Sequence, residues 1–185
     1  MTTEIRVFPL EGIPEVEEGN DLGELLVEAA ERAGGLEDAD ILVVAQKIVS
    51  KAEGRVVGLD GIEPSERAYE LAGERDPRHV EAILRESVRV IRSRPPLVIS
   101  ETRHGYVCAS AGVDASNAKG EGTLVLLPVD PDASAARIRD GLRGARELVL
   151  GKTDGRPAAV VRGLDLRGEG TGRDLVIPPE RDLFR

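Results

Sequence analysis

The stretch from Ala109 to Asn117 places residues that can do chemistry on a nearly bare backbone. It reads ASAGVDASN and carries one carboxylate, that of Asp114, among small and polar side chains. Hard cations such as Mg²⁺ and Mn²⁺ prefer carboxylate oxygen, and small neighbours let a phosphate and its ion approach the main chain. Because Asp, Ser and Asn also bind local main chain, an Asx turn after a strand explains the stretch equally well. Asp114 is therefore a candidate metal ligand.

Two lysines, Lys47 and Lys51, follow a predicted buried strand, with Ser50 between them. In an acidic chain such cations can hold phosphate groups, although a solvated strand end is the commoner explanation. A second polar loop, LGKTDGRP, begins at Leu150. It is not a P-loop, because that motif requires glycine five residues before Gly151, where this chain has arginine.

The sequence offers weaker nucleophile and base candidates. Cys108 is the only cysteine, and a nucleophilic role would need a nearby histidine. His104 is four residues away but falls at a predicted turn, so a buried structural cysteine is favoured over a hydrolase nucleophile. His79 lies on a predicted helix among charged residues and is expected at the surface.

Composition narrows the possible classes of protein. The net charge of -9 over 185 residues argues against non-specific nucleic-acid binding but leaves room for a nucleotide in a local basic pocket. No apolar run approaches the ~18–20 residues of a membrane span, and the first ten residues do not resemble a signal peptide. A single cysteine excludes an intrachain disulfide. We expect a soluble cytoplasmic protein.

The elements that must position these residues alternate without a regular βαβ rhythm. The sequence therefore predicts a mixed α/β (α+β) domain, with a mixed sheet and flanking helices. Gly141 and Gly144 predict a break near residues 141–145, because interior glycines disfavour a continuous helix. The predicted strands are residues 5–10, 38–47, 95–102, 106–112, 122–130 and 157–164; the predicted helices are 21–35, 64–75, 76–93 and 130–149; and an extended segment with a turn at 53–54 is predicted for 48–57.

Segments along the whole chain resemble, in order, the coenzyme F420-0:L-glutamate ligase family. Among them are VFPLEGIPEV, DILVVAQKIVSKAEGR, HGYVCASAGVDASN and LGKTDGRPAAVVRGL. The resemblance implies an α/β fold of unusual topology and an intertwined homodimer. It also implies a reaction in which L-glutamate is joined to the lactyl-phosphate carboxyl of coenzyme F420-0. GTP would be the co-substrate, with Mg²⁺ or Mn²⁺ required and K⁺ helpful.

The resemblance also implies site residues, although it assigns no catalytic residue. Asp114 would be a metal ligand, and the remaining positions would contact the nucleotide, the last of them in a loop that runs on to Pro157. These nucleotide positions are Ile13, Pro14, Glu15, Val16, Gln46, Lys47, Lys51, Asn117, Gly151, Lys152, Thr153, Asp154, Gly155 and Arg156.

One departure from the family affects the expected activity. A block of several dozen residues, with a TDTFGR-like motif that supplies an Asp and a Thr as metal ligands, is absent near residues 141–146. The block is either deleted from a single domain of residues 1–185 or omitted from the sequence. A later metal-ligand position falls near Lys152, which cannot replace an acid. Two hypotheses follow: a GTP-dependent ligase, or a non-catalytic protein of this ancestry that binds GTP or a deazaflavin.

Overall fold

The computed structural model describes residues 5–115, 122–142, 145–151 and 157–163. These residues form helices and strands in a mixed order, and the strands pair in both directions. The predicted mixed α/β class is therefore confirmed. The chain divides into two compact units, residues 1–55 with 128–169 and residues 56–127 with 170–185. The single domain predicted for residues 1–185 stays a prediction.

The first unit contains a four-stranded mixed sheet. Its strands, in spatial order, are β1 (Arg6–Pro9), β9 (Ala158–Arg162), β2 (Asp40–Ala45) and β8 (Ala145–Gly151). Strand β9 is antiparallel to both β1 and β2, whereas β2 and β8 are parallel. Consequently β1, β2 and β8 all run in the same direction, and their carboxyl ends lie at one edge of the sheet.

Three helices belong to this unit: α1 (Leu22–Arg32), α2 (Gln46–Ala52) and α5 (Pro131–Gly141). Helix α1 begins as predicted, because the side chain of Asp21 accepts a hydrogen bond from the Glu24 N–H at 3.2 Å. Its buried positions recur every three or four residues, which directs one face to the core. The core of the unit is made by Leu10, Val16, Leu22, Leu26, Ala29, Ala30, Leu42, Val44, Val49, Ile138, Leu142, Ala158 and Val160.

A buried ion pair joins the amino-terminal end of β2 to β9. Asp40 is fully buried, and Arg162 donates to both of its carboxylate oxygens, from Nε at 2.8 Å and from Nη2 at 2.7 Å. The hydrogen bond from Arg162 lowers the pKa of Asp40 despite burial, which would raise it. Arg162 also binds Glu37 at 2.7 Å and lies over the ring of Phe8.

The second unit has a two-stranded ribbon, a three-stranded antiparallel sheet and two helices. Its elements are β3 (Val56–Gly58), α3 (Glu66–Ala72), α4 (Pro77–Arg85), β4 (Ser87–Arg94), β5 (Leu97–Thr102), β6 (Val107–Ala109) and β7 (Thr123–Val125). Strand β3 pairs with β7, and β5 lies between β4 and β6. The core of this unit is made by Ile62, Ala68, Leu71, Ala72, Val80, Ala82, Ile83, Val98, Ala111, Val113, Leu124 and Leu126.

Three predicted elements are wrong in type. Residues 46–52 form helix α2 rather than an extended segment, and its buried Val49 and Ser50 face the core. The predicted helix 76–93 ends at Arg85, because the following segment contains the β-branched residues Val88, Val90 and Ile91 and pairs with β5 as strand β4.

The third error concerns the predicted helix 130–149. Helix α5 ends at Gly141, and strand β8 begins at Ala145 and pairs with β2. No helix therefore continues from one side of this stretch to the other, as the glycines predict, but the second half is a strand. The turn between β5 and β6 is also confirmed, with the Thr102 N–H donating to Tyr106 O at 2.8 Å.

Candidate functional site

Residues 110–112 form a left-handed turn directly after β6. The φ angles of Ser110, Ala111 and Gly112 are 53°, 49° and 73°, and the Val113 N–H donates to Ser110 O at 2.8 Å. A left-handed conformation costs a non-glycine residue roughly 1–2 kcal/mol, because Cβ approaches the following carbonyl oxygen. Such strain is concentrated at functional sites, which makes this turn a candidate part of one.

Packing explains part of the bare backbone in this stretch. Ala111 is only 1% exposed and belongs to the core of its unit. A Cβ added to Gly112 would lie 2.8 Å from side-chain carbons of Leu127, closer than Cβ atoms approach other heavy atoms. Larger side chains at either position would therefore disturb the turn that precedes Asp114.

Asp114 lies two residues beyond the turn and is half-buried. Its N–H donates to Val125 O at 3.0 Å, and its carbonyl accepts from the Val125 N–H at 2.8 Å. This bridge to β7 fixes the main chain of Asp114 on one side, as the left-handed turn does on the other. A carboxylate on main chain fixed in this way suits ligand binding, and the predicted role of Asp114 as a metal ligand stays a prediction.

Two polar residues, Arg75 just before α4 and His79 in its first turn, lie near this stretch. Arg75 donates from Nη1 to Ser110 Oγ at 3.1 Å. His79 is half-buried rather than exposed, so its predicted surface position is wrong. Burial lowers the pKa of His79, as does the charge of Arg75, while Asp76 and Asp114 oppose the shift. Its Nε2 is buried and has no hydrogen-bond partner among the residues that the structure describes.

In the first unit, the segments predicted to contact a nucleotide start from one edge of the sheet. They follow the carboxyl ends of β1, β2 and β8, which point the same way. Ala45, the last residue of β2, pairs with Gly151 at the end of β8. Main-chain hydrogen bonds join the ends of β1 and β2 to the start of β9. The Ala45 N–H donates to Pro157 O at 2.8 Å, and the Leu10 N–H donates to Ala158 O at 2.9 Å. Ligands of open α/β sheets bind outside the carboxyl ends of the strands.

The loop after β1 and helix α2 also contact each other directly. Lys51 Nζ lies 2.6 Å from Glu15 Oε1, and the Lys51 side chain is only 13% exposed. The Gly19 N–H donates to Ala52 O at 2.9 Å. Within the same loop Val16 is buried in the core, Ile13 is half-buried and Pro14 is exposed. Two residues predicted to contact the nucleotide, Glu15 and Lys51, are thus brought together.

Helix α2 sets the positions of the other predicted contacts that follow β2. Gln46 donates a short hydrogen bond to the hydroxyl of Ser50, which is fully buried. Lys47 and Lys51 are four residues apart and therefore lie on one face of this helix. The pair of cations is presented by a helix, and not by the strand end that the sequence predicts.

The sequence profile of the F420-0:Gamma-glutamyl ligase family matches residues 12–147, which is most of the chain. The chain belongs to this family. The match includes the loop after β1, helix α2 and the Ser110–Gly112 turn with Asp114. The resemblance predicted from the sequence is confirmed.

Curated relatives carry the name Coenzyme F420:L-glutamate ligase. The protein of Methanothermobacter thermautotrophicus is 45% identical over 160 residues, and that of Methanopyrus kandleri is 47% identical over 165 residues. These alignments cover 83% and 84% of this chain but only 63% and 62% of the relatives. The chain therefore spans less than two thirds of the length of these two relatives.

A third relative, from Archaeoglobus fulgidus, aligns over nearly its whole length. It is 32% identical over 246 residues, covering 98% of this chain and 96% of that protein. Because 98% of 185 residues is about 181, about 65 of the 246 aligned positions have no counterpart in this chain. A gap of this size is comparable with the missing block of several dozen residues that the sequence predicts near residues 141–146.

Several predicted nucleotide contacts of this family member lie outside the described residues. They are Asn117, Lys152, Thr153, Asp154, Gly155 and Arg156. Gly151 is described as the last residue of β8. The sequence did not single out Arg75 or Ser110, because a left-handed turn built from Ser and Ala has no clear sequence signal; only the adjacent glycine indicates one.

The residues around Asp114 fit a metal ion in part. Among the described residues, no three His, Cys, Asp or Glu side chains come together as a metal site. Mg²⁺, however, is commonly bound through one or two carboxylates together with substrate phosphates. A single carboxylate on a fixed main chain is therefore compatible with Mg²⁺ binding where a nucleotide supplies further oxygens.

The expectations for Cys108 and for a membrane span can be compared with the structure. Cys108 is half-buried on β6, and the ring of His104 stacks on Tyr106 with centroids 5.6 Å apart. Within the described part of the chain, every helix is too short or too polar to cross a bilayer.

Proposed function

We propose that this chain joins L-glutamate to the lactyl-phosphate carboxyl of coenzyme F420-0, using GTP. The convergence of the loop after β1, the start of α2 and the end of β8 at one sheet edge carries the proposal, because these are the segments implied to hold the nucleotide. Membership of the ligase family and the names of the relatives support it.

The chemistry requires activation of a carboxylate, which is a poor electrophile. An oxygen of the F420-0 carboxylate attacks the γ-phosphorus of GTP, and GDP leaves. The glutamate nitrogen then attacks the carbonyl carbon of the acyl phosphate, inorganic phosphate leaves, and the nitrogen loses a proton. Transfers of this type depend mainly on positioning and on neutralising phosphate charge.

The residues of this chain supply both requirements. Lys47 and Lys51 place two cations on one face of α2, and Glu15 holds Lys51 in position before the nucleotide arrives. Asp114 would hold Mg²⁺ or Mn²⁺, which when bound neutralises charge on the phosphates. K⁺ is proposed from the family alone, without an assigned residue.

The second candidate function is non-catalytic binding of GTP or a deazaflavin. The absence of counterparts for about 65 aligned positions of the Archaeoglobus fulgidus relative favours it, because the missing block is implied to supply two metal ligands. The two functions differ in turnover and share nucleotide binding.

A single experiment separates them. The purified chain is incubated with F420-0, L-glutamate, GTP and Mn²⁺, product is measured by mass spectrometry, and GTP binding is measured by calorimetry. The ligase predicts an F420 species larger by one glutamate, formed only with GTP. Binding of GTP without that product supports the binding protein, and the absence of both overturns both proposals.

A further inference from the structure

The left-handed turn before Asp114 needs contacts that stabilise it. The left-handed turn at Ser110–Gly112 includes two non-glycine residues, which left alone favour other conformations. Val125 binds the main chain of Asp114 only on the carboxyl side of the turn. The Val113 N–H binds the carbonyl of Ser110 from within the turn, which leaves the Ser110 hydroxyl available to a group outside it.

Arg75 is in a position to bind this hydroxyl. Its Nη1 donates to Ser110 Oγ at 3.1 Å, and its own N–H donates to Ala72 O at 2.9 Å, which fixes the arginine at the end of α3. Charged donors make stronger hydrogen bonds than neutral ones. The guanidinium group thus links a rigid helix end to the first residue of the strained turn.

We propose that Arg75 is a positioning residue that, through Ser110, holds the left-handed turn and thereby sets the direction of the Asp114 carboxylate. The inference rests on the proposed function, in which Asp114 holds a divalent ion. Arg75 need not touch that ion or the nucleotide. Its contribution passes through one hydrogen bond and three residues of main chain.

The environment of α4 agrees with such a role. The helix begins with Pro77, just after Arg75, and packs against the turn. His79, one turn further on, is half-buried near Asp114 and has a buried Nε2 without a hydrogen-bond partner in the described part of the chain. Helix α4 thus lies against the turn, and a change at Ser110 is expected to reach Asp114.

The test measures Mn²⁺ binding by electron paramagnetic resonance of the free ion, with GTP present, together with thermal unfolding. Ser110→Ala removes the acceptor, Arg75→Met removes the donor, and Asp114→Asn removes the carboxylate. We expect each of the first two changes to weaken Mn²⁺ binding by about 10-fold, in the lower part of the range for groups that orient metal ligands. Because both remove one interaction, the double variant should bind no more weakly than the weaker single variant.

Two further variants separate positioning from general damage. Arg78→Met removes another arginine of the same region, whose contacts are to Asp76 and Asp60, and it should lower stability without changing Mn²⁺ affinity. Ala111→Gly is added to Ser110→Ala, because glycine adopts positive φ without the steric cost of alanine. The glycine should keep the turn left-handed and restore part of the lost Mn²⁺ affinity.

The outcomes are distinguishable. If Asp114→Asn weakens binding while Ser110→Ala and Arg75→Met lower only the unfolding temperature, the positioning role is wrong and the metal role stands. Additive losses in the double variant would also overturn it. Unchanged Mn²⁺ binding in Asp114→Asn would overturn both the metal role and the inference that depends on it.

Discussion

Gly112 shows how strictly packing limits the residue types next to Asp114. Its φ of +73° is unfavourable for any side chain, and a Cβ there would lie 2.8 Å from Leu127. We expect Gly112→Ala to lower the free energy of unfolding by about 2–4 kcal/mol, through left-handed strain and overpacking together. Urea denaturation measures this loss.

A matched variant separates strain from overpacking. Gly105 also has positive φ, +84°, but has nothing within 4 Å of the added Cβ. Gly105→Ala should therefore cost only the strain, roughly 1–2 kcal/mol. Equal losses in the two variants would show that Leu127 moves aside and that packing does not explain the glycine.

Asp40 gives a prediction about pH. Its folded-state pKa is lowered, chiefly by the hydrogen bond from Arg162, below the ordinary value of 3.8. A carboxylate of lowered pKa stabilises the fold fully above its unfolded pKa, and the contribution is lost as pH falls through the folded value. Asp40→Asn should therefore lower the free energy of unfolding by about 2–3 kcal/mol at pH 7.

The difference between wild type and Asp40→Asn should stay constant from pH 7 down to about 5, and should shrink below the ordinary carboxyl pKa. Urea denaturation at a series of pH values measures it. Asp38→Asn, at an exposed neighbouring position, is the control and should have little effect at any pH. A difference that grows as pH falls would contradict the assignment of Arg162 as the stabilising partner.

At the scale of elements, helix α2 should carry the electrostatic part of nucleotide binding. Replacing both Lys47 and Lys51 by alanine should weaken GTP binding, and should do so more at low salt than at high salt, since salt screens partly exposed charges. Calorimetry at two ionic strengths measures the effect. Arg6 begins β1, at the opposite end from the edge where the predicted nucleotide contacts lie, so Arg6→Ala should leave affinity nearly unchanged. Equal GTP affinity in wild type and the double variant would contradict the assignment of Lys47 and Lys51 as nucleotide contacts.

Element types were predictable where the local pattern and the tertiary pairing agree. Helix α1 has a capping Asp21 and a glycine pair beyond its end, and the structure confirms it. Strand β8 was predicted as helix, because charged residues interrupt its apolar pattern and only pairing with β2 decides the outcome. Strand β4 was also predicted as helix, although its alternation of valine and arginine is typical of a strand. The pairing of β8 with β2 joins distant parts of the chain and has no signal within a short window.

The residues of the candidate site were less predictable than the element types, because their contacts join distant positions of the chain. Lys51 and Glu15 are 36 positions apart, and only the resemblance, not local spacing, grouped them as contacts before the structure showed their ion pair. Arg75 could not be predicted at all, since its importance arises from a hydrogen bond to a residue 35 positions away in a turn that sequence rules do not assign to Ser and Ala.

At the scale of the whole molecule we predict a homodimer, as the family resemblance implies. Strand β1 pairs only with β9 in the described sheet, and Val7 on β1 and Ile5 just before it are 68% and 54% exposed. An edge strand with exposed apolar side chains favours covering by another chain.

Light scattering at micromolar concentration should give twice the 19.8 kDa of one chain. Val7→Lys should lower that mass if β1 contributes to the interface, and Glu28→Lys, at an exposed position on α1, should not. A monomer mass for the wild-type chain would contradict the prediction and would implicate the missing block in dimer formation.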